Sequence, residues 1–171
     1  KAFVENVARS RSLKDASKQL GINERRIRSL VNGDLLVGYR SNTKSPTPWA
    51  INCDKFINKF SVSAIVADGD ECLTIRKILM FHLREETQFL DFIKALIKGE
   101  MVLYAGAQDT SFADYKIIAS DYFLWKIQWL KKHHTTTSLR VREVASLLGV
   151  KDQVVYAMIN NGLLAHVVVG N

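Results

Sequence analysis

The sequence predicts a mostly α-helical protein with short β-strands, and two observations support this class. Residues 12–39 and 140–167 align without a gap, and every aligned core position is apolar or glycine in both copies. Within each copy the apolar residues recur at spacings of three and four, as on one face of a short helix. The chain has 171 residues, 47% hydrophobic and 24% charged, which is an ordinary balance for a globular protein.

The first copy contains two predicted helices joined by a short turn. One apolar stripe marks the first helix, formed by Leu13, Ala16 and Leu20. Ser12 and Asp15 form a capping pair at its start, and Gly21 ends it. Asn23 is a good N-cap for a second helix over 24–31. Because so short a turn forces a steep crossing angle, the pair is predicted to be a helix-turn-helix.

A break and an extended segment follow the second helix in both copies. Residues 32–34 break the chain in the first copy, and residues 35–39 then suit a short strand at the edge of the unit, a wing. In the second copy residues 160–162 form the break and residues 163–169 form a longer predicted strand. Asp34 stands where the second copy has a glycine, so the turn into the first wing stays undetermined.

A third, degenerate copy is visible in the middle of the chain. Apolar residues predict one helix over 75–83, a second helix through Phe89 and Ile93, a break at Gly99 and a strand over 101–104. The turn over 83–87 lacks glycine and needs an insertion relative to the other copies. The sequence alone therefore leaves open whether this segment is a helix-turn-helix.

The remaining segments are two linkers and two further helices. Residues 41–48 and 131–137 are polar linkers, and a short helix is predicted over 54–60. Residues 121–130 form an apolar helix with Trp125 and Trp129 four positions apart. We interpret this aromatic stripe as core or inter-unit packing rather than as a ligand site.

Positive charge is concentrated at the N-terminal end of the chain. The whole chain has a formal net charge of +7, and residues 1–45 contain ten Lys and Arg but four Asp and Glu. Such a basic end favours a polyanionic partner, because contacts with phosphate give sequence-independent affinity through counterion release. The alternative is a solvated surface with an excess of lysine and arginine.

The pattern of core residues resembles the winged helix-turn-helix of excisionases and MerR-type regulators. In the first copy the resemblance lies in Leu13, Ala16, Ser17, Leu20, Gly21, Ile27, Leu30, Val31 and Leu35. The second copy matches more closely, and the tandem arrangement is more weakly similar to the DNA-binding tails of transposon target-selector proteins. The resemblance implies tandem winged helix-turn-helix units joined by short helices. We expect such units over 1–45 and 131–171, and a linker helix, a degenerate unit and the aromatic helix over 46–130.

In a helix-turn-helix the second helix reaches base edges in the major groove, while the wing and flanks contact phosphate. Ile27, Leu30 and Val31 are predicted to face inward, which leaves four DNA-binding candidates facing outward, Arg25, Arg26, Arg28 and Ser29. Phosphate contacts are expected from flanking basic residues, Arg9, Arg11, Lys14, Lys18 and Arg40. In the last copy the candidates are Lys151, Gln153 and Tyr156, with a weaker electrostatic attraction. The middle copy has Glu85, Glu86, Gln88 and Asp91 there, which would repel phosphate.

The sequence indicates no enzyme. It contains no Gly-rich phosphate loop, nucleophile elbow or paired-carboxylate motif, so no catalytic residue, cofactor, metal or small-molecule ligand is predicted. Cys53 and Cys72 lack metal-ligand spacing and are expected to be structural. With no membrane-spanning run and no leader in the first twenty positions, the chain is expected to be cytoplasmic. It begins at Lys1, which is compatible with a fragment of a longer protein.

Two functions follow from these patterns. The first is sequence-specific binding of double-stranded DNA, as a factor in regulation, excision or transposition that reads the major groove mainly with the helix over 24–31. The second is a protein-interaction adaptor within a larger DNA-processing assembly. The adaptor would contact a protein partner or a second copy through Trp125, Trp129 and the acidic middle segment.

Overall fold

A computed structural model describes residues 10–40, 48–64, 71–83, 85–106, 108–133 and 139–166. The chain divides into two compact units, Lys1–Ala119 (unit 1) and Ser120–Asn171 (unit 2). As predicted, the protein is mostly helical with small sheets. Among the described residues, no helix has both the length and the apolar character needed to cross a bilayer.

The first helical pair of unit 1 has the predicted caps and core. Helix α1 spans Leu13–Leu20 and helix α2 spans Glu24–Asn32. The Ser12 hydroxyl accepts the Asp15 amide at 3.1 Å, and the Asn23 side chain accepts the Arg26 amide at 2.9 Å. Gly21 ends α1 in the left-handed conformation, with φ of 67°. The predicted apolar stripe of α1 is buried, as are Ile27 and Leu30 of α2.

The first strand after α2 begins later than the sequence predicted for the wing. Strand β1, Gly38–Arg40, pairs antiparallel with β2, Trp49–Ile51, and Arg11 forms an isolated bridge to Ile51. Leu35 and Leu36 instead close the end of α2, because both amides donate to the Leu30 carbonyl, at 2.9 and 3.1 Å. The chain turns at Asp34, which adopts φ of 57° where the C-terminal copy has a glycine.

The rest of unit 1 adds helices and a second sheet. The helices are α3 (Cys53–Ile57), α4 (Ile75–Lys77) continued by a π-helical turn (Ile78–His82), α5 (Glu86–Ile97) and a 3₁₀ turn (Phe112–Asp114). The strands are β3 (Val62–Ser63), β4 (Cys72–Thr74), β5 (Leu103–Tyr104) and β6 (Lys116–Ile118), in the order β3-β5-β6-β4. Strand β3 is parallel to β5, and the other pairs are antiparallel.

An aromatic cluster joins distant parts of unit 1. The Phe112 ring lies 5.4 Å from Phe56 and 4.8 Å from Phe60, between ring centroids, and all three side chains are buried. Phe56 and Phe60 lie in and just after α3, whereas Phe112 opens the 3₁₀ turn. The cluster therefore fixes the 3₁₀ turn against α3.

The 3₁₀ turn also packs against the turn between α1 and α2. A Cβ atom added to Gly21 would lie 2.5 Å from the Ala113 Cβ and 2.8 Å from the Ser111 hydroxyl. Arg76 donates to the Asp114 carboxylate at 2.8 Å. This bond from Arg76, followed by one from Ser111, lowers the pKa of Asp114 to about 2.

Substitutions at two glycines with the same left-handed conformation distinguish the cost of backbone strain from the cost of steric crowding. Gly21 and Gly99 have φ of 67° and 73°, but a Cβ at Gly99 would meet nothing within 4 Å. We expect Gly99→Ala to lower the free energy of unfolding by about 1 kcal/mol through strain alone. Gly21→Ala should cost about 2 to 4 kcal/mol, because overpacking against Ala113 is added to that strain. Urea unfolding measures both, and equal losses would show that the 3₁₀ turn does not pack tightly on Gly21.

The described residues of unit 2 form three helices. Helix α6, Ala119–His133, begins at the end of unit 1 and otherwise lies in unit 2, followed by α7, Val141–Leu148, and α8, Asp152–Asn160. Residues 131–133, predicted as linker, form the last turn of α6, where their basic side chains suit the negative end of the helix dipole. Residues 163–166 contain no strand, and the rest of the strand predicted over 163–169 lies outside the described residues.

A buried lysine closes the core of unit 2. The Lys126 side chain is 0% exposed, and its ammonium donates to the Leu148 carbonyl at 2.7 Å. Leu148 is the last residue of α7, where carbonyl groups have no partner within the helix. Lys126 thus caps the C-terminus of α7 from α6.

Candidate nucleic-acid interface

Helix α2 presents one exposed polar stripe. Arg25, Arg28 and Asn32 are exposed and lie at spacings of three and four, so they share a face. Arg28 forms an ion pair with Glu24 at 3.3 Å, and both side chains are about half exposed. A surface pair of this kind contributes little free energy, so Arg28 can exchange Glu24 for a phosphate or a base at low cost.

Arg26 does not belong to this stripe, so the prediction that it faces outward is wrong. Its guanidinium donates to the Leu83 carbonyl at 2.6 Å and lies 5.1 Å from the centre of the Phe89 ring. Burial, and secondarily the charge of Arg25, lowers the pKa of Arg26. The side chain therefore joins α2 to the end of the π-helical turn by a hydrogen bond and to α5 by a cation–π contact.

Ser29 is also misplaced by the sequence prediction. It is 6% exposed, and its hydroxyl donates to the Arg25 carbonyl at 3.2 Å. Arg26, Ser29 and Gly33 lie at spacings of three and four and form a second packed face of α2. A Cβ at Gly33 would lie 3.4 Å from the Leu90 side chain of α5. The small residues Ser29 and Gly33, four apart, are the sequence signal that could have indicated this close helix contact.

The flanking basic residues are accessible. Lys14 and Lys18 are exposed one turn apart on α1, and Arg11 is exposed just before that helix. Arg40 is exposed at the end of β1, with its guanidinium 6.0 Å from the centre of the Trp49 ring. Arg9, also predicted as a phosphate contact, lies outside the described residues.

The middle helical pair consists of α4 with its π-helical turn and of α5. It repeats part of the capping geometry of α1 and α2. The Thr74 hydroxyl accepts the Lys77 amide at 3.1 Å, as Ser12 does at the start of α1. At the end of α5, Gly99 has φ of 73° and the Glu100 amide donates to the Ala95 carbonyl at 3.0 Å, which matches the Leu35 to Leu30 bond after α2. The turn between the two helices is different, because π-helical residues replace the glycine.

The surface of the middle pair carries acidic and apolar groups. Glu85 and Glu86 are exposed as predicted, whereas Gln88 is buried, which corrects its predicted outward position. Asp91 is half-buried and pairs with Lys94 at 3.2 Å. Met80 and Phe81, in the π-helical turn, are highly exposed.

In unit 2 the three predicted site residues are accessible. Lys151, Gln153 and Tyr156 are exposed at the start and along the face of α8. Arg142 and Asp152 form an exposed ion pair at 3.7 Å.

The two tryptophans differ in exposure. Trp129 is buried and stacks on His133 with ring centroids 4.1 Å apart, which confirms packing and makes its predicted role as a partner contact wrong. Trp125 is half-buried. Two acidic residues of the predicted adaptor surface, Glu85 and Glu86, are exposed.

Both cysteines are at least half-buried, which fits the structural role expected of them. Cys53 is buried, and burial followed by the charge of Asp54 raises the pKa of its thiol to about 11. Cys72 is half-buried in β4, and both are free cysteines. Within the described ranges, no three His, Cys, Asp or Glu side chains come together as a metal ion would require.

Comparison with protein-family models, with characterised proteins and with solved structures gives no match for this chain. Any assignment of function therefore depends on the accessible side chains themselves. Among the described residues of α1 and α2, four cations are exposed, Lys14, Lys18, Arg25 and Arg28. We call these four cations, together with the uncharged Asn32 of the α2 stripe, the basic face.

Proposed function

We propose that this protein binds double-stranded DNA through tandem winged helix-turn-helix units, with α2 as the main helix in the major groove. The observation that carries the proposal is the basic face. Two guanidinium groups on a helix stripe can form forked hydrogen bonds with guanine edges or with phosphates. The lysines lie on the preceding helix, which in such units crosses the DNA backbone.

The hairpin of β1 and β2 supports the same proposal. It follows α2 directly, as a wing does, and carries exposed Arg40 at its end. A cation on the wing adds a phosphate contact beside the one made by α1. The proposed DNA-binding set in unit 1 is therefore Arg11, Lys14, Lys18, Arg25, Arg28 and Arg40, without Arg26 and Ser29.

The shared helix endings support a repeated unit. Helices α2, α5 and α8 all end with a left-handed residue, at Asp34, Gly99 and Gly162. In each case the next amide donates to a carbonyl five residues earlier, at 2.9 to 3.0 Å. The middle pair would be a structural copy, because its acidic surface opposes phosphate at close range.

The test is a salt titration of duplex binding by fluorescence anisotropy. For Arg25→Ala/Arg28→Ala we expect about 10- to 100-fold weaker binding at low salt and a salt slope smaller by up to about 2, because each lost phosphate contact removes about 0.9 from the slope. Lys94→Ala/Lys98→Ala is the matched control, since it removes the same charge from exposed positions of α5 and its C-cap. It should change both quantities much less. Equal binding by wild type and the arginine variant, or no binding at low salt, would refute the proposal.

A second candidate is the protein-interaction adaptor, and one observation favours it. Met80 and Phe81 are neighbouring exposed apolar side chains, which is unusual for a surface without a partner. The adaptor predicts a stoichiometric complex without DNA, with a second copy of the chain or with another protein. Sedimentation velocity of the protein alone distinguishes self-association from a DNA-dependent complex.

A further inference from the structure

Helix α8 of unit 2 repeats the architecture of α2 with different surface chemistry. Both helices follow a left-handed glycine, at Gly21 and Gly149, with φ of 67° and 72°. At their ends the Leu35 and Leu163 amides each donate to a carbonyl five residues earlier at 2.9 Å. The N-caps differ, because the Asn23 side chain accepts an amide whereas Lys151 makes no such bond. Since the preceding glycines and the helix ends coincide, aligned positions of the two helices occupy equivalent places on the unit.

The exposed stripe of α2 is replaced in α8 by uncharged residues. Gln153, Tyr156 and Asn160 align with Arg25, Arg28 and Asn32, and all three are exposed. Tyr156 has 56% of its surface accessible. The stripe has lost both guanidinium groups and gained an amide and an aromatic ring.

The face of α2 that packs on α5 is open on α8. The positions of Arg26 and Ser29 are taken by Val154 and Ala157, which are exposed. Helix α8 therefore offers two adjacent accessible faces, one with amides and one with methyl groups, whereas α2 offers one. Nothing within the described residues of unit 2 covers this second face.

An amide beside exposed apolar side chains matches the major-groove edge of one base pair, A·T. A glutamine or asparagine amide can bond both N6 and N7 of adenine, and apolar groups contact the C5-methyl of thymine in the major groove. Arginine instead favours guanine. On the basis of the proposed function, we infer that α8 is a second base-reading helix that recognises A·T pairs, with Gln153 on adenine and Val154 and Ala157 beside the thymine methyl, while α2 recognises guanine.

A base contact from Gln153 is distinguishable from a phosphate contact. Gln153→Ala should weaken binding to a selected site about 5- to 150-fold, the discrimination expected of one bidentate base contact. Binding to random-sequence duplex and the salt slope should stay unchanged, because no charge is removed.

The deciding experiment is selection of bound sequences from random duplex DNA with wild type and three variants. Wild type should enrich a site with a guanine-containing part and an A·T part. Gln153→Ala should lose preference at one A·T position, and Gln153→Arg, which installs the residue of α2, should convert adenine to guanine there. Gln128→Arg is the matched control, because Gln128 is an exposed glutamine on α6 of the same unit, and it should leave the site unchanged.

The outcomes separate the two proposals. If wild type enriches a site and every Gln153 variant selects the same one, the inference is overturned while DNA binding by α2 stands. The inference is overturned in the same way if Gln153 variants lose a defined protein complex instead of a base preference. If wild type binds no duplex, the proposed function fails and the inference fails with it.

Discussion

Replacing Phe112 with alanine is expected to lower the free energy of unfolding of unit 1 by about 3 to 5 kcal/mol, the usual range for a buried phenylalanine. The side chain is 1% exposed, and its ring lies against Phe56, Phe60 and Tyr115. Truncation removes these contacts and leaves a cavity that the rigid neighbours can fill only in part. The loss should extend to the α1–α2 turn, because the 3₁₀ turn that Phe112 begins packs on Gly21.

The control is Phe81→Ala, the same truncation at a side chain that is 57% exposed. Its effect should stay within about 0.5 kcal/mol, as for most surface substitutions. Urea unfolding gives both free energies, and hydrogen exchange of the α1 amides reports the region affected. If the two variants differ by less than 1 kcal/mol, roughly the uncertainty of such extrapolations, Phe112 does not hold the unit together.

Lys126→Ala should destabilise unit 2 by about 2 to 4 kcal/mol. The change removes a charged hydrogen bond to the Leu148 carbonyl and the buried methylene groups of the side chain. Relief of the desolvation of a buried charge offsets part of this loss. Hydrogen exchange of the α7 amides is the suitable measurement, because it reports unit 2 without the transition of unit 1.

Lys126→Met separates packing from hydrogen bonding. Methionine restores most of the buried volume but cannot donate to the helix end, so it should lose less stability than alanine. Lys131→Ala, at an exposed position of the same helix, should leave exchange from α7 unchanged. Faster exchange from α7 in Lys131→Ala than in Lys126→Ala would contradict the capping role of Lys126.

Much of the helical part of the fold could be predicted because its signals are local. The caps at Ser12 and Asn23, the stop at Gly21 and the apolar stripe of α1 each depend on residues within one or two turns. The predicted wing begins too early, because Leu35 and Leu36 look like a strand but satisfy the Leu30 carbonyl. A periodicity argument cannot distinguish an apolar strand from an apolar helix end.

The candidate site could be predicted only in part. The exposed positions of Arg25 and Arg28 follow from the helix period, because their stripe lies opposite the core of the same unit. The positions of Arg26 and Ser29 do not, since they depend on α5, which is distant in sequence. An arginine side chain carries its guanidinium on a flexible methylene chain, so it can extend into solvent or pack on an aromatic ring. Only the neighbouring helix decides between these two positions.

The sequence by itself determined the repeated helical pair, its caps and turns, and the excess of cations near the N-terminus, because these depend on short-range hydrogen bonds and on composition. Tertiary structure alone decided which cations are accessible. Packing of α2 against α5 half-buries Arg26 on the Phe89 ring, and packing of α6 on α7 buries Lys126 at a helix end. The reason is that burial and pairing are set by contacts between residues far apart in the chain, which no local pattern encodes.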